Sequence, residues 1–452
     1  MTDFGLLTLV PVMLVIVMAI ITRSSLEPLV VGILAGCVIA YRGDFLNQFI
    51  QHLQTALTTR DSGWVIIVCM LYGSLIMMMI RAGGTNAFST LLLKYVKSRR
   101  MALLATLALG LIIFIDDYFH SLSVGAAMKK VTDKFKISRE LLAYVIHATS
   151  APLCILLPVS TWSIFISRIL ENNKLVAEGQ GMSGYIHVIP YLALGYVGLT
   201  LVFLVSLGWV PIIGKMKQAE LRASTGQTIP PDPTHITTDD QDVPVAKKNK
   251  ILYFIAPIVV LVATTIYFDF DALKGALLAN IFTFGLLFFD CALKIPELSE
   301  SLIKGFSTVL LPLVLLILAF VLKQVNDDLH LVQYVIHHVQ PLMSRELFPA
   351  IAFMTLATIA FLTSTSWDLY IIAIPIIVPL AQSLEVNVWL GVSTVVCGGA
   401  FGSNTGFFSD STILSASSTN CPTMTHAITQ LPYAVISMIM TGVVYLAIGF
   451  LS

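Results

Sequence analysis

Two adjacent carboxylates, Asp116 and Asp117, open the motif DDYFH at the end of the apolar run MALLATLALGLII. Later in the chain TSTSW presents four consecutive hydroxyls, Thr363, Ser364, Thr365 and Ser366, again between apolar stretches. Two more polar motifs interrupt apolar sequence: PVSTW, with Ser160 and Thr161, and GSNTGFFSD, with Ser403, Asn404, Thr405, Ser409 and Asp410. Neighbouring carboxylates repel unless a cation sits with them, which suits reversible binding of H⁺ or Na⁺. An Asp at the centre of a membrane helix costs about 2.5–3.5 kcal/mol on insertion scales, so two together imply a purpose. The competing explanation is helix capping, which Asp, Ser and Thr all perform. The hydroxyls offer both donors and acceptors to a solute. His120 adds a group able to relay protons near neutral pH or to hydrogen-bond locally. Trp162 and Trp367 follow the hydroxyl motifs, as packing or as walls of a site.

The elements that carry these residues are apolar. Of 452 residues 57% are hydrophobic and 12% charged, and the mean hydropathy is +0.87. Soluble proteins carry roughly 25% charged residues, so this is a membrane chain, with the lipid bilayer as its first partner. Basic and acidic residues, 26 of each, cancel, and nothing points to a nucleic-acid partner. The N-terminus lacks the basic region and small-residue cleavage site of a signal peptide, so the first apolar run reads as a permanent helix. Six cysteines, none in a CxxC pair, read as packing residues; no metal site or disulfide framework is expected from them. GILAG, residues 32 to 36, is a small-residue pattern suited to a close helix contact.

Apolar spans are read at about 5–22, 26–41, 63–80 and 186–210, then at 251–268, 273–293, 305–323 and 432–451. Between them residues 215–250, polar and rich in Pro and Thr, read as a solvated linker. Phe114 aligns with Phe361 at a shift of 247, which lays DDYFH on TSTSW and PVSTW near GSNTGFFSD. Such self-similarity suggests duplicated halves, 1–214 and 251–452.

Basic residues orient them. Three segments, around 94–100, 129–139 and the linker, hold 15 of the 26, which places all three on the cytoplasmic side. Residues 101–128 must then enter and return. Fifteen residues, 101–115, give about 22 Å of helix, enough to carry DDYFH past the midplane. Residues 141–170 cross outward as a helix broken at PVST. In the second half the hairpin is about 346–381 and the broken helix about 388–418, running the other way. The segments 84–96 and 331–343 read as matching interfacial helices before each hairpin. The expected fold is an all-α polytopic membrane protein: an inverted repeat of ten crossings, two re-entrant hairpins and two broken helices. Unwound backbone at membrane depth is tolerated only inside protein or along a wet cavity. The two tips and two breaks therefore imply one polar site near the midplane.

FIDDY, LAYVIHATSAPLCILLPVSTW, TSTSW and GGAFGSNTGFFSDSTILSASS with TQLPYA resemble the NhaC-type Na⁺/H⁺ antiporter family, from about residue 60 onwards. The resemblance implies a secondary transporter exchanging Na⁺ and H⁺ across the bacterial inner membrane, some relatives also carrying organic acids. It also implies an inverted-repeat homodimer working by an elevator motion. Where the family reads FGD[HN]CSP[IV]SDTT this chain has Ser403 for an acid and Phe407 for proline, a less acidic site that favours an organic solute. Asp116, Asp117 and Asp410 are the expected ion-coupling residues and Na⁺ ligands. Ser160, Thr161, Thr363 to Ser366, Ser403, Asn404, Thr405 and His120 are the expected substrate contacts. No cofactor is implied beyond Na⁺ or H⁺ as coupling ion. The runner-up is a Na⁺- or H⁺-coupled carrier of a small carboxylate or amino acid. An intramembrane enzyme using a carboxylate pair is disfavoured by the duplicated, broken-helix pattern.

Overall fold

The computed structural model describes residues 4–451 apart from 23, 25, 115, 232–247 and 365. Thr365 and residues 232–247 of the linker thus lie outside the described residues, among which every extended element is a helix. The first half begins with α1 (Val10–Thr22), α2 (Leu26–Tyr41), α3 (Phe45–Thr58), α4 (Arg60–Arg81) and α5 (Gly84–Tyr95). It continues with α6 (Arg99–Ile112), α7 (Asp117–Lys134), α8 (Arg139–Leu156), α9 (Thr161–Asn172), α10 (Gly181–Val188) and α11 (Ala193–Leu207). After α12 (Gly214–Ser224) come α13 (Leu252–Tyr267), α14 (Ala272–Phe289), α15 (Ile295–Thr308), α16 (Leu310–Asp328) and α17 (Leu331–Val339). The chain ends with α18 (Phe348–Thr363), α19 (Trp367–Ser383), α20 (Val388–Thr405), α21 (Asp410–Ser418) and α22 (Thr423–Leu451). Helix order recurs: α1 and α13 start 242 residues apart, α7 and α19 250, α9 and α21 249.

Capping sets where key helices begin. Ser98 accepts from the Met101 amide at 3.2 Å and opens α6. Ser138 does the same for Leu141 at 3.1 Å and opens α8, and Asn387 for Trp389 at 2.9 Å at α20. Each cap satisfies an amide that the helix cannot, worth about 1 kcal/mol.

Among the described residues five helices are long and apolar enough to cross a membrane, or up to seven if each of two bent pairs is one span. The bent pairs are Arg139–Leu156 with Thr161–Asn172, at 40°, and Gly181–Tyr191 with Ala193–Leu207, at 55°. By length and composition the count therefore stops short of ten. Phe348–Thr363 and Trp367–Ser383 are shorter apolar helices, joined at TSTSW. Neither α3 nor α15 is among the expected spans; both alternate polar and apolar faces, which hides them from a hydropathy window. Residues 214–224, read as solvated linker, form a helix instead. Met216, Ala219 and Ala223 bury one of its faces, and Arg222 pairs with Glu140 at 2.7 Å.

The buried apolar residues form two clusters, each drawing on both halves. One joins Val68 and Val124 to Leu316 and Ile413; the other joins Trp162 and Ile166 to Phe353 and Tyr370. The halves interlock: α21 packs on α7 and α8, α9 on α19, and α8 on α20. Large apolar side chains stay exposed on outer helices, among them Ile21, Tyr267, Ile281, Phe289 and Leu310, as a lipid-facing surface requires. Gly36 of GILAG abuts Val325 and Pro11. Five cysteines are buried, whereas Cys291, just after α14, is exposed.

A close crossing between halves is α4 on α15. A Cβ on Gly73 would sit 2.6 Å from the Gly305 carbonyl oxygen, and one on Gly305 2.7 Å from that of Gly73. Gly305→Ala should therefore cost about 1–3 kcal/mol through overpacking. Gly285→Ala, whose Cβ would meet only Phe289 at 3.8 Å, should be neutral or stabilising by up to about 1 kcal/mol. Thermal unfolding in detergent measures both, and equal midpoints for the two variants would contradict the close crossing.

Candidate functional site

The first hairpin unwinds between Ile112 and Asp117. Asp116 caps α7: its Oδ1 accepts from the amides of Tyr118 at 3.1 Å and Phe119 at 3.0 Å. The unwound carbonyls are also met. His120 Nδ1 lies 2.9 Å from the Ile113 oxygen, and its Nε2 lies 3.1 Å from both the Ile146 oxygen and Thr149 Oγ1. Cys154 Sγ lies 3.4 Å from the Phe114 oxygen.

The two broken helices are interrupted in the same way. At the first break Ser160 caps α9, accepting from the Ser163 amide at 3.1 Å and donating to the Cys154 oxygen at 2.6 Å. At the second Ser409 caps α21, accepting from the Thr412 amide at 3.2 Å and donating to the Ser403 oxygen at 2.6 Å. Each serine turns back six residues to the last carbonyls of the preceding helix. The sequence carries the cause: Pro158 in one loop and Gly406 in the other interrupt the ladder, and a serine restarts it.

These breaks bring the three aspartates together. Asp117 accepts from Trp162 Nε1 at 3.1 Å and from Ser411 Oγ at 2.7 Å. Asp410 accepts from the Ser411 amide at 2.8 Å and from the Tyr118 hydroxyl. Asp116 Oδ2 is 3.5 Å from Thr161 Oγ1. Ser403 Oγ meets Ser411 Oγ at 3.0 Å. Asp116 and Asp117 are 4% and 1% exposed, while Asp410 and Thr161 are half-buried. Every donor to these carboxylates is neutral. Among the described residues none of the three is ion-paired, although Glu140, Asp133 and Asp368 all have basic partners. Burying an ion costs several kcal/mol unless a charge compensates it. The site is therefore short of positive charge.

A polar seam runs from it between α7 and α21. Ser415 donates to Ser121 at 3.0 Å, Gly125 abuts Ser418, and Lys129 donates to Asn420 at 3.0 Å. The seam ends at a cavity of about 60 Å³ lined by Lys129, Ser417, Ser418 and Asn420.

The other expected contacts divide. Ser364, left-handed at φ 54°, accepts from the Phe408 amide at 3.3 Å, so the second tip rests on the second break. Thr363 and Thr405 donate to the carbonyls of Ile359 at 2.9 Å and Phe401 at 2.6 Å. Ser366 is buried at the start of α19, and Thr365 lies outside the described residues. Asn404 Oδ1 points into a separate small cavity beside Gln430. His120 and Ser160 are engaged with nearby backbone, and Ser160 also meets Ser163. Among the described residues no three His, Cys, Asp or Glu side chains converge as a metal site, so a bound Na⁺ would need hydroxyl or carbonyl oxygens as well. Tyr118 and Ser411 are absent from the expected set, although each directly follows an expected aspartate. Trp162 does more than pack: bonded to Asp117, its ring lies 4.9 Å from that of Trp367 and so links the two hairpins.

A family model described as "Na+/H+ antiporter family" matches residues 186–450, more than half of the chain. The match covers TSTSW and the second break and leaves DDYFH outside it. A Haemophilus influenzae protein described as "Uncharacterized protein" is 27% identical, over 98% of this chain and 91% of its own length.

The matched serine caps make a direct test. Ser160→Ala and Ser409→Ala each remove a cap and a bond to a buried carbonyl, which should cost about 1–3 kcal/mol. Exposed Thr358, bonded only to its own helix at Met354, should tolerate Ala within about 0.5 kcal/mol. Unfolding midpoints compare all three; a serine variant as stable as Thr358→Ala would refute the role given to that cap.

Proposed function

The chain belongs to the Na⁺/H⁺ antiporter family, and from that premise we propose that it exchanges Na⁺ for H⁺ across the bacterial inner membrane through Asp116, Asp117 and Asp410. Membership supports a multi-pass transporter of the cation/proton class rather than an enzyme. The observation that carries the reading is that, among the described residues, no basic side chain pairs with three clustered carboxylates held by neutral donors. A transported cation supplies the missing charge. Na⁺ and H⁺ compete for the same oxygens, so loading one expels the other, and that competition is the coupling. Asp117 and Asp410 share Ser411 across the two halves, so both halves sense which cation is bound.

The recurring helix order and the paired serine breaks support a duplicated chain with two helical hairpins, which we read as an inverted repeat of ten crossings with the hairpins re-entrant. On this reading the protein works as a homodimer by an elevator motion, with 215–250 cytoplasmic. A second reading is a Na⁺- or H⁺-coupled carrier of a small carboxylate or amino acid. Half-buried Thr161 and Trp367 favour it: Thr161 lies 3.5 Å from Asp116, and the Trp367 ring lies against Trp162, which bonds Asp117.

In proteoliposomes Asp117→Asn and Asp410→Asn should each lower Na⁺-driven proton movement at least about tenfold, or 1.4 kcal/mol of coupling. Asp116→Asn keeps the cap, because Asn caps as well as Asp, and should lose transport with stability retained. In the wild type, one-for-one competition raises the apparent KM for Na⁺ about tenfold per pH unit on the acid side. Proton movement driven only by an added carboxylate or amino acid would favour the second reading, and unchanged Na⁺ dependence in all three variants would remove the aspartates from the mechanism. For topology, Lys97→Cys and Lys134→Cys should both resist labelling from outside; labelling of one alone would abolish the hairpin.

A further inference from the structure

His147, in the middle of α8, is fully buried and belongs to no part of the carboxylate cluster. Its Nε2 lies 3.2 Å from the Ser403 carbonyl oxygen, which can only accept, so Nε2 carries a hydrogen. Its Nδ1 lies 3.1 Å from His426 Nε2 and 3.0 Å from Gln430 Oε1, both on α22. With both rings neutral, Nδ1 is a lone pair. It then accepts from His426 and faces the Gln430 oxygen unbonded, while buried His426 Nδ1 has no partner. Turning the Gln430 amide over leaves the mismatch, because Nδ1 would face two donors with one lone pair. Each unmet buried polar group costs about 1–3 kcal/mol. One added proton removes the clash at Nδ1: Nδ1–H donates to Gln430 Oε1 and also faces His426 Nε2 as an acceptor, while His426 Nδ1 has no partner in either state.

We propose that the His147–His426 pair is a second proton-binding site, distinct from the aspartates. Gln430 Nε2 and Asn404 Oδ1, both without a partner, flank a cavity of about 20 Å³. That is room for one water able to accept from the first and donate to the second. The titratable groups around the pair are Tyr433 from α22, His120 from α7, which holds the Ile146 carbonyl, and Tyr144 from α8 itself. Beyond Ser403 stand Asp410 and Asp117, joined through Ser411. Glu140 with Arg222 of α12 lies at the start of α8, and α20 presents the Ser403 carbonyl. Among the described residues neither ring is ion-paired.

The consequence follows from Ser403. Its carbonyl receives both His147 and Ser409, the cap of α21, and its hydroxyl meets the serine that bonds Asp117. A proton on His147 therefore tightens the second break at the residue that touches the ion site. This consequence, though not the proton site itself, rests on the exchange reading.

The test is ¹⁵N-histidine NMR on the full-length protein in nanodiscs, with signals assigned by His147→Gln and His426→Gln. One of the two rings should pass from neutral to imidazolium between about pH 8 and 4. His426→Gln, which cannot titrate, should move the midpoint of the remaining ring by at least about half a pH unit. In proteoliposomes His147→Gln should remove one step from the pH profile, with Na⁺ dependence at alkaline pH retained. Two rings that stay neutral over this range, or a wild-type pH profile in both variants, overturn the proposal. Wild-type protein that moves no protons with Na⁺ would instead refute the exchange reading and leave the ring titration interpretable.

Discussion

Interrupted helices inside an apolar body leave amides and carbonyls that water cannot reach, and satisfying them organises this molecule. Each such group left unmet would cost about 1–3 kcal/mol. Ser160 and Ser409 turn back to Cys154 and Ser403, His120 holds Ile113, and Asp116 caps Tyr118 and Phe119. Tyr185 donates to the Ile155 oxygen at 2.5 Å and Thr412 to that of Gly406 at 2.6 Å. Much of the conspicuous polar sequence is thus occupied with backbone. What it does not satisfy is the charge on Asp117 and Asp410.

Function and capping are not alternatives at these positions. Asp116 gives one oxygen to the start of α7 and turns the other towards Thr161. The cap holds that second oxygen in place, because a capping carboxylate has lost its rotational freedom. Ser411 works similarly, its amide on Asp410 and its hydroxyl on Asp117. On the proposed reading, a cation arriving here would meet ligands already oriented, which lowers the ordering cost of binding.

The halves are coupled by shared apolar packing and by polar contacts between them. Trp162 bonds one hairpin and stacks near the other, and Ser411 joins an aspartate from each half. Around them the seam between α7 and α21 is built from Ser and Gly. Small residues let helices approach closely and leave little side chain to repack.

Composition, the run of apolar segments and the repeated motifs were enough to determine a helical membrane protein with its polar residues gathered at helix interruptions. Lipid enforces this: backbone there must be helical or enclosed, so a polar break in an apolar run can be read directly. The matching breaks were legible for the same reason, since each is restarted by a serine, Ser160 and Ser409, 249 residues apart. Helices α3, α12 and α15 were not, because an amphipathic helix bound to protein on one face looks polar on average. Nor could sequence say which hydroxyls serve the backbone and which face the carboxylates. Ser160 and Thr161 are adjacent, yet one bonds Cys154 and the other turns to Asp116. That division depends on which direction each side chain leaves a helix end, and on what the other half of the chain, about 250 residues away, brings to meet it. Tyr118 with Asp410, and Ser411 with Asp117, exist only in the folded chain.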